Sequence, residues 1–488
     1  MHRNPIFDVS PDQIAALDDE GLRLLIARLC EADLRNRGLP TSAVLYGGNQ
    51  IAADGGIDVR VELPADTQID GFIPRPATGF QAKADDMPAS QIAKEMRREV
   101  TQPDGTKARR LRPSIRALAA EGGAYVIVSS KGSIADSRLM ERRDAMRATV
   151  AELVGSDALH LDFYDRTRMA TWVRSYPGVV LWVLDRIGQP LAGWRPWGNW
   201  SRAPAADGPY LSDDTARLRD LSKPEDGPLA IGDSIARLRA RLWEPGGMVR
   251  LTGLSGTGKT RLLEALFDPS IGKQPLDTAH ALYADVGHDS PQPSASQLAG
   301  RLRAEGSRAI LMLDNCPRET HDAIAAEIKA PESPLSLITV DLDISDEKPE
   351  DTDVFRLQGA SEAVIDSLIQ QRYPALAQTI RSRVAEFAGG NARIALLAAQ
   401  DVGPKTNLAD LSDEWLFKRL LHQRKQADDR LLEAAEALAL VFSFDGETLE
   451  GDDAELPILA RVAGLDVRVV RRAVGELMRR EIVQSRGK

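Results

Sequence analysis

Eight consecutive residues, Gly253-Leu254-Ser255-Gly256-Thr257-Gly258-Lys259-Thr260, have the spacing of a loop that cradles phosphate. Its glycines let backbone N–H groups converge on phosphate oxygens with no Cβ in the way. The apolar run Val249–Thr252 reads as the strand before the loop, and helix formers begin at Lys259, so a helix N-terminus adds its positive dipole. On this reading Gly253, Ser255, Gly256, Thr257, Gly258 and Arg261 surround the nucleotide. Lys259 bridges its β- and γ-phosphates, and Thr260 offers a hydroxyl to Mg²⁺. Asp314 ends the apolar strand Ile310–Leu313, where a carboxylate holds the water shell of that ion. ATP and Mg²⁺ are therefore the expected cofactors. Asn315 follows the acid where a water-activating carboxylate would stand, so slow turnover is expected, in keeping with a switch more than a motor.

A second constellation lies far upstream. Asp58 sits on an alternating strand, Ile57–Leu63, and Gln81-Ala82-Lys83 on the next, where alternation puts Gln81 and Lys83 on one face. A carboxylate, a second oxygen ligand and a lysine on adjacent strands suit Mg²⁺-dependent phosphodiester cleavage: the metal activates water and the lysine offsets developing charge. Asp58 is the metal ligand in this scheme, and Gln81 removes one carboxylate from it. A further acid is needed, for which Glu31 on the first helix is the candidate; Glu62 shares a face with Asp58 but lies about 13 Å along the strand. The same pattern also fits an exposed Asp–Lys pair.

The elements that must position these residues can be read from periodicity. Apolar residues Leu22, Leu25, Ile26 and Leu29 mark an amphipathic helix, and after the two strands come a helix over 89–100 and a buried strand, Ala124–Ser130. Five of the seven tryptophans fall in 172–200 and read as a packing surface over that sheet. Ala, Pro, Gly, Asp and Ser dominate 206–228, the expected linker. Strands at 249–252, 281–285, 309–313 and 335–340 then alternate with helices, which predicts a parallel sheet covered on both faces. The pattern beyond 361 is helical, and helices at 457–463 and 467–480 followed by Ile482-Val483-Gln484 outline a winged helix. The fold class is α/β and multidomain: 1–205 a mixed-sheet domain, 229–358 the nucleotide-binding core, 359–428 a helical lid, and 429–488 the winged helix, whose wing stops short.

Chain-wide properties bound the function. At 488 residues about three domains are expected. A net charge of −10 excludes a uniformly basic nucleic-acid coat, while local runs such as Lys107-Ala108-Arg109-Arg110-Leu111-Arg112 stay available, most simply as a solvated helix face. No apolar run approaches the roughly 20 residues that span a bilayer. Cys30 and Cys316 fall in buried elements, so a reducing, cytoplasmic setting without disulfides is expected.

The loop, Asp314, the segment Gly389-Gly390-Asn391-Ala392-Arg393 and the winged-helix outline together resemble the STAND branch of the P-loop ATPases. The usual Gly-x-Pro is missing, and Gly-Asn-Ala-Arg is similar to the sensor-arginine pattern of AAA+ proteins, which implies Arg393 near the γ-phosphate; the alternative is an ordinary exposed helix arginine. Residues 10–135 resemble the Mrr-like version of the restriction-endonuclease fold, PD-(D/E)xK, with Asp58, Gln81 and Lys83 as the catalytic set. The combination resembles antiviral STAND proteins of bacteria. That resemblance implies double-stranded DNA as substrate, assembly into a homo-oligomer (a tetramer), and a phage protein sensed by a C-terminal region that this sequence lacks. Two other readings stay open: an ATP-dependent restriction enzyme, and a non-catalytic regulator that binds DNA through Arg468, Arg471, Arg472 and Arg479 of the winged helix.

Overall fold

A computed structural model describes residues 7–47, 56–196, 215–341, 351–400, 411–417 and 429–483, apart from short breaks within these spans. Asp54 and Gly55 before the first candidate acid, and the terminal Ser485–Lys488, lie outside the described residues.

The N-terminal unit begins with α1 (Pro11–Ala15) and α2 (Asp19–Asn36), the second capped by Asp18, whose carboxylate accepts from Gly21 N at 2.7 Å. There follow β1 (Val44–Tyr46), β2 (Val59–Glu62), β3 (Ala77–Lys83), α3 (Ala89–Met96), β4 (Arg97–Thr101), β5 (Lys107–Leu111), α4 (Pro113–Ala120), β6 (Ala124–Ser129), α5 (Asp136–Val150), β7 (His160–Tyr164), α6 (Arg166–Arg174) and α7 (Pro177–Arg186). Strand order is β1-β2-β3-β6-β7, antiparallel over the first three and parallel from β3 to β7. Every residue of β6 is buried, as expected of a parallel strand covered on both faces. Below the sheet, α2, α6 and α7 supply Leu25, Ile26, Leu29, Trp172 and Val183; above it, α3, α4 and α5 supply Ile92, Ile115 and Met146. Trp172 stacks on Phe72 with centroids 4.9 Å apart.

The second unit contains β8 (Trp194–Arg195), β9 (Ala216–Asp220), β10 (Pro228–Ala230), α8 (Ile231–Trp243), β11 (Met248–Thr252), α9 (Lys259–Ala265), β12 (Ala281–Asp285), α10 (Ala295–Ala304), β13 (Ala309–Asp314), α11 (Arg318–Ile328), β14 (Leu335–Val340) and β15 (Asp353–Leu357). The eight strands are ordered β10-β9-β15-β11-β14-β13-β12-β8, with β15, β11, β14, β13 and β12 parallel. Helices α12 (Glu362–Arg372), α13 (Gln378–Ala388) and α14 (Ala392–Gln400) then form a separate apolar cluster around Ile365, Val384 and Ala398.

Four expectations need correction. The helix expected over 89–100 stops at Met96, and Arg97–Thr101 pairs instead with Lys107–Leu111 as a two-stranded ribbon; the intervening Pro103-Asp104-Gly105 is a turn signal that favours a hairpin over a helix. The ribbon also replaces the helix face expected for the basic run 107–112. Within the segment read as linker, β9 adds to the large sheet on β15. Its residues Arg217, Arg219 and Asp220 hide the strand from a hydrophobicity reading; Arg217 and Asp220 are nonetheless buried because tertiary bonds satisfy them, Arg217 donating to Thr257 O at 2.9 Å and Arg237 reaching Asp220 at 2.5 Å. Lastly, residues 482–483 form a bend, so the three helices Asp429–Leu438, Glu455–Val462 and Val467–Arg479 pack together without a wing strand among the described residues.

The two sheets share one core. Val179, Val180 and Leu184 of α7 belong to the same buried cluster as Ala279, Leu282 and Leu311 of the second unit, and β8 pairs antiparallel with β12.

Candidate functional site

β11 ends at Thr252 and α9 starts at Lys259, so the glycine-rich loop is held between a buried strand and a helix N-terminus, with Gly258 as the capping residue. Lys259 Nζ donates to Gly253 O and Leu254 O, each at 2.7 Å. Burial pulls this amine down to about 8, against the opposing pull of Asp314 and Asp341. Thr260 Oγ1 donates to Asp314 Oδ2 at 2.7 Å, Tyr283 Oη donates to the same oxygen at 3.1 Å, and Asn315 N donates to Oδ1 at 2.9 Å. Burial raises the Asp314 carboxyl, and the neighbouring Asp285 raises it further. The donor set of a hydroxyl and a carboxylate side by side fits Mg²⁺, a hard cation that takes one or two protein oxygens and fills its shell with phosphate and water. Arg261 turns outward to Glu264 at 2.6 Å.

The outward carbonyls of the loop are held from behind. Asn391 Nδ2 donates to Ser255 O at 2.8 Å, Ala392 N to Gly256 O at 3.0 Å, and Arg217 Nη2 to Thr257 O at 2.9 Å. Gly256 is left-handed at φ 79°, and a Cβ there would fall 2.2 Å from Asn391 Oδ1, so the helical segment docks only because this position has no side chain. Arg217 also grips Gln358 O and Gly359 O, the exit from β15 into α12. Arg393 lies in the first turn of α14, near enough to Lys259 for its charge to bear on that amine. Sequence reasoning missed Arg217, because nothing local marks β9, and missed Asp285. The latter pairs in register with Asp314 and accepts from Asn315 Nδ2 at 2.9 Å.

In the N-terminal unit, Asp58 is buried at the head of β2. Its Oδ2 accepts from Gln81 Nε2 at 2.8 Å and Ala82 N at 2.7 Å, while Oδ1 faces Arg23 Nε at 3.1 Å. Lys83 Nζ reaches Glu95 Oε1 at 3.0 Å, and Arg112 lies 3.6 Å from the same oxygen. Asp58 and Gln81 are thus in contact, while Lys83, two residues further along the same strand, pairs with Glu95 from the last turn of α3. Glu31 does not join them. It lines a separate crevice with Arg28, Arg35, Trp182 and Asp277, about 12 Å along α2 from Arg23, and burial raises its carboxyl. Among the described residues nothing bonds the buried Gln81 Oε1 or Tyr125 Oη, the latter's acidity suppressed by burial and by Glu95. An orphaned amide oxygen beside a carboxylate fits a divalent cation. Asp58 opens onto a cleft of about 500 Å³ lined by Leu45, Tyr46, Ile57, Arg60 and Ser114.

No family model matches the chain, and no curated protein matches it. Solved structures do: a Signal Transduction ATPase with Numerous Domains protein with a tetratricopeptide-repeat sensor from Pyrococcus horikoshii aligns over 58% of this chain at 12% identity, TM-score 0.28. The chain spans 42% of that protein's length. A Walker-type ATPase of Pyrococcus abyssi aligns over 49% of this chain and 94% of its own at 11% identity, TM-score 0.26.

Proposed function

We propose that this chain is a nucleotide-controlled DNA endonuclease of the antiphage STAND type, in which the P-loop unit sets the state of the N-terminal unit. The observation that carries the nuclease reading is the orphaned Oε1 of Gln81, a side chain whose Nε2 donates to Asp58, with Lys83 on the same strand. Bound Mg²⁺ would supply an activated water and charge neutralisation at the scissile phosphate. Asp58 and Gln81 would hold the ion, and Lys83, once released by Glu95, would offset charge on the phosphate oxygens.

The site is latent as it stands. Both Asp58 oxygens are engaged, one of them by Arg23, and Lys83 is tied to Glu95. Activation then requires Arg23 and Glu95 to give way, which suits an effector switched on by assembly. In the P-loop unit, Lys259 occupies the carbonyls of its own loop and would turn to the phosphates, Thr260 and Asp314 would hold Mg²⁺, and Arg393 would face the γ-phosphate. Asn315 in place of a carboxylate supports slow hydrolysis. Assembly into a homo-oligomer and a phage protein as trigger complete the proposal.

The test is incubation of supercoiled plasmid with the full-length protein, Mg²⁺ and ATP, with and without phage lysate. Nicking or linearisation confined to the native chain is expected, with Asp58→Ala and Lys83→Ala inert. Cleavage that survives either substitution would remove the basis of the reading.

A further inference from the structure

The ribbon β4–β5 is anchored at its base, where Arg97 donates to Thr149 O at 3.3 Å and Leu111 packs on the core, but its exposed charge is unexplained by that packing. Residues 97–112 carry six cationic side chains against Glu99 and Asp104, a net of +4 on a chain whose total is −10. Register places Arg98 directly opposite Arg110, and Glu99 opposite Arg109. Like charges facing across two strands destabilise them, and a two-stranded ribbon is marginal by itself, so this arrangement works against folding. Arg98, Arg109 and Arg110 are exposed, and no carboxylate forms an ion pair with any of them among the described residues; Lys107 takes Glu99 at 2.5 Å. Alternation puts Arg98 and Arg110 on one face and Lys107 and Arg109 on the other.

The ribbon's base is the candidate active site. Glu95, two residues before Arg97, holds Lys83. Arg112, one residue past β5, closes the ribbon through Arg112 N to Met96 O at 3.0 Å and donates from Nε to Glu95 O at 2.7 Å. Its side chain lies across Gly56, where a Cβ would meet Arg112 Cδ at 2.2 Å, two residues from Asp58.

We propose that the β4–β5 ribbon is the duplex-DNA-binding arm of the enzyme, seated in the major groove with Arg98 and Arg110 toward one phosphate backbone and Lys107 and Arg109 toward the other. This rests on the nuclease reading above. A two-stranded ribbon fits the B-form major groove, about 12 Å wide, whereas the A-form groove of duplex RNA is too narrow. Cations on both faces suit a ribbon lying between two backbones. A duplex held so carries its backbone past Lys83 and Asp58 at the ribbon's foot, and DNA charge relieves the Arg98–Arg110 repulsion.

The test is fluorescence anisotropy of a blunt DNA duplex of about three helical turns, titrated with full-length Lys83→Ala protein at about 50 and 200 mM salt. Adding Arg98→Gln, Arg109→Gln and Arg110→Gln is expected to weaken binding on the order of 10- to 100-fold at the lower salt, and to flatten the log–log salt slope by about 2 to 3. The triple lysine replacement at these positions keeps the charge and is expected to stay near the parent, which separates loss of charge from loss of fold. ATP-analogue affinity should be unchanged in both. Unaltered affinity and slope in the glutamine variant overturn the arm while leaving plasmid cleavage, and so the nuclease reading, intact. Absence of DNA binding in the parent together with absence of plasmid cleavage by the native chain overturns both. Equal affinity for an RNA duplex of the same length overturns the assignment to DNA.

Discussion

Lys259 shows what one buried residue requires of its ligand. Its ammonium is desolvated and donates to two carbonyls of its own loop, and burial pulls it down to about 8. Asp314 and Asp341 favour the charge and Arg393 opposes it. A triphosphate adds several negative charges at the same spot, so the bound state holds the proton to higher pH than the free state. The sign follows: below about pH 7 both states are protonated and affinity does not change with pH, while above about pH 8 binding takes up a proton and affinity falls by up to tenfold per pH unit. Calorimetry of a non-hydrolysable ATP analogue with Mg²⁺, in two buffers of different ionisation heat, is expected to show proton uptake at about pH 8.5 and none at about pH 6.5. Buffer-independent heats at the higher pH would show that Lys259 does not face the phosphates.

At the scale of elements, the phosphate loop is shaped as much by its neighbours as by its glycines. Three consecutive carbonyls are fixed by α14 and β9, and fixing a carbonyl outward turns the next N–H inward, toward the phosphates. Asn391 does two tasks, donating to Ser255 O and accepting from Arg393 N and Ile394 N at 3.1 Å each as the cap of α14. Replacing Asn391 with Ala is expected to cost about 1–2 kcal/mol locally. It should speed amide exchange in 253–258 and in the first turn of α14 together, with weaker nucleotide binding. Faster exchange in α14 alone would mean that lid and loop are independent. This clamp also marks the limit of what was legible beforehand. Glycine spacing and the run ending at Asp314 are local properties, so the loop and the strand ends could be read directly, as could the neighbouring strands that carry Asp58, Gln81 and Lys83. β9 could not, because a segment whose apolar content is little more than Leu218 becomes a strand only through Arg217 and the edge of β15. Glu95 was hidden because its partner, Lys83, depends on α3 ending one residue later in a ribbon, and Glu31 was misplaced because helical phase alone does not say how far along α2 the site lies.

Across the whole molecule, the proposed coupling between nucleotide and N-terminal unit has its most direct route through the α7 seam, where the two sheets share a core. Arg35 of α2 reaches Asp277 at 2.6 Å, and Asp277 in turn accepts from Ala279 N at 3.0 Å in the turn that leads into β12. β12 ends at Asp285 beside Asp314, so this turn is one strand's length from the proposed metal-binding acid. The units approach closely at Gly178, where a Cβ would lie 2.4 Å from Thr278 O and 2.8 Å from Ala279 O, both backbone atoms that have no rotamer by which to yield. Gly178→Val therefore has to push α7 off the turn. Overpacking of this kind costs about 1–3 kcal/mol, and here the loss falls on the seam more than on either core, since each sheet keeps a separate apolar cluster of its own. In the native chain, an ATP analogue with Mg²⁺ is expected to raise the thermal transitions of both units together. In Gly178→Val it should raise only that of the P-loop unit, leaving the effector to melt separately and earlier, and plasmid cleavage should lose its dependence on ATP. Amide exchange of α2 and α7 reads the same event directly: protection on nucleotide binding in the native chain, none in the variant. If the variant's effector unit still responds to nucleotide as the native one does, the signal does not cross at α7, and the β8 edge strand on β12 becomes the path to examine.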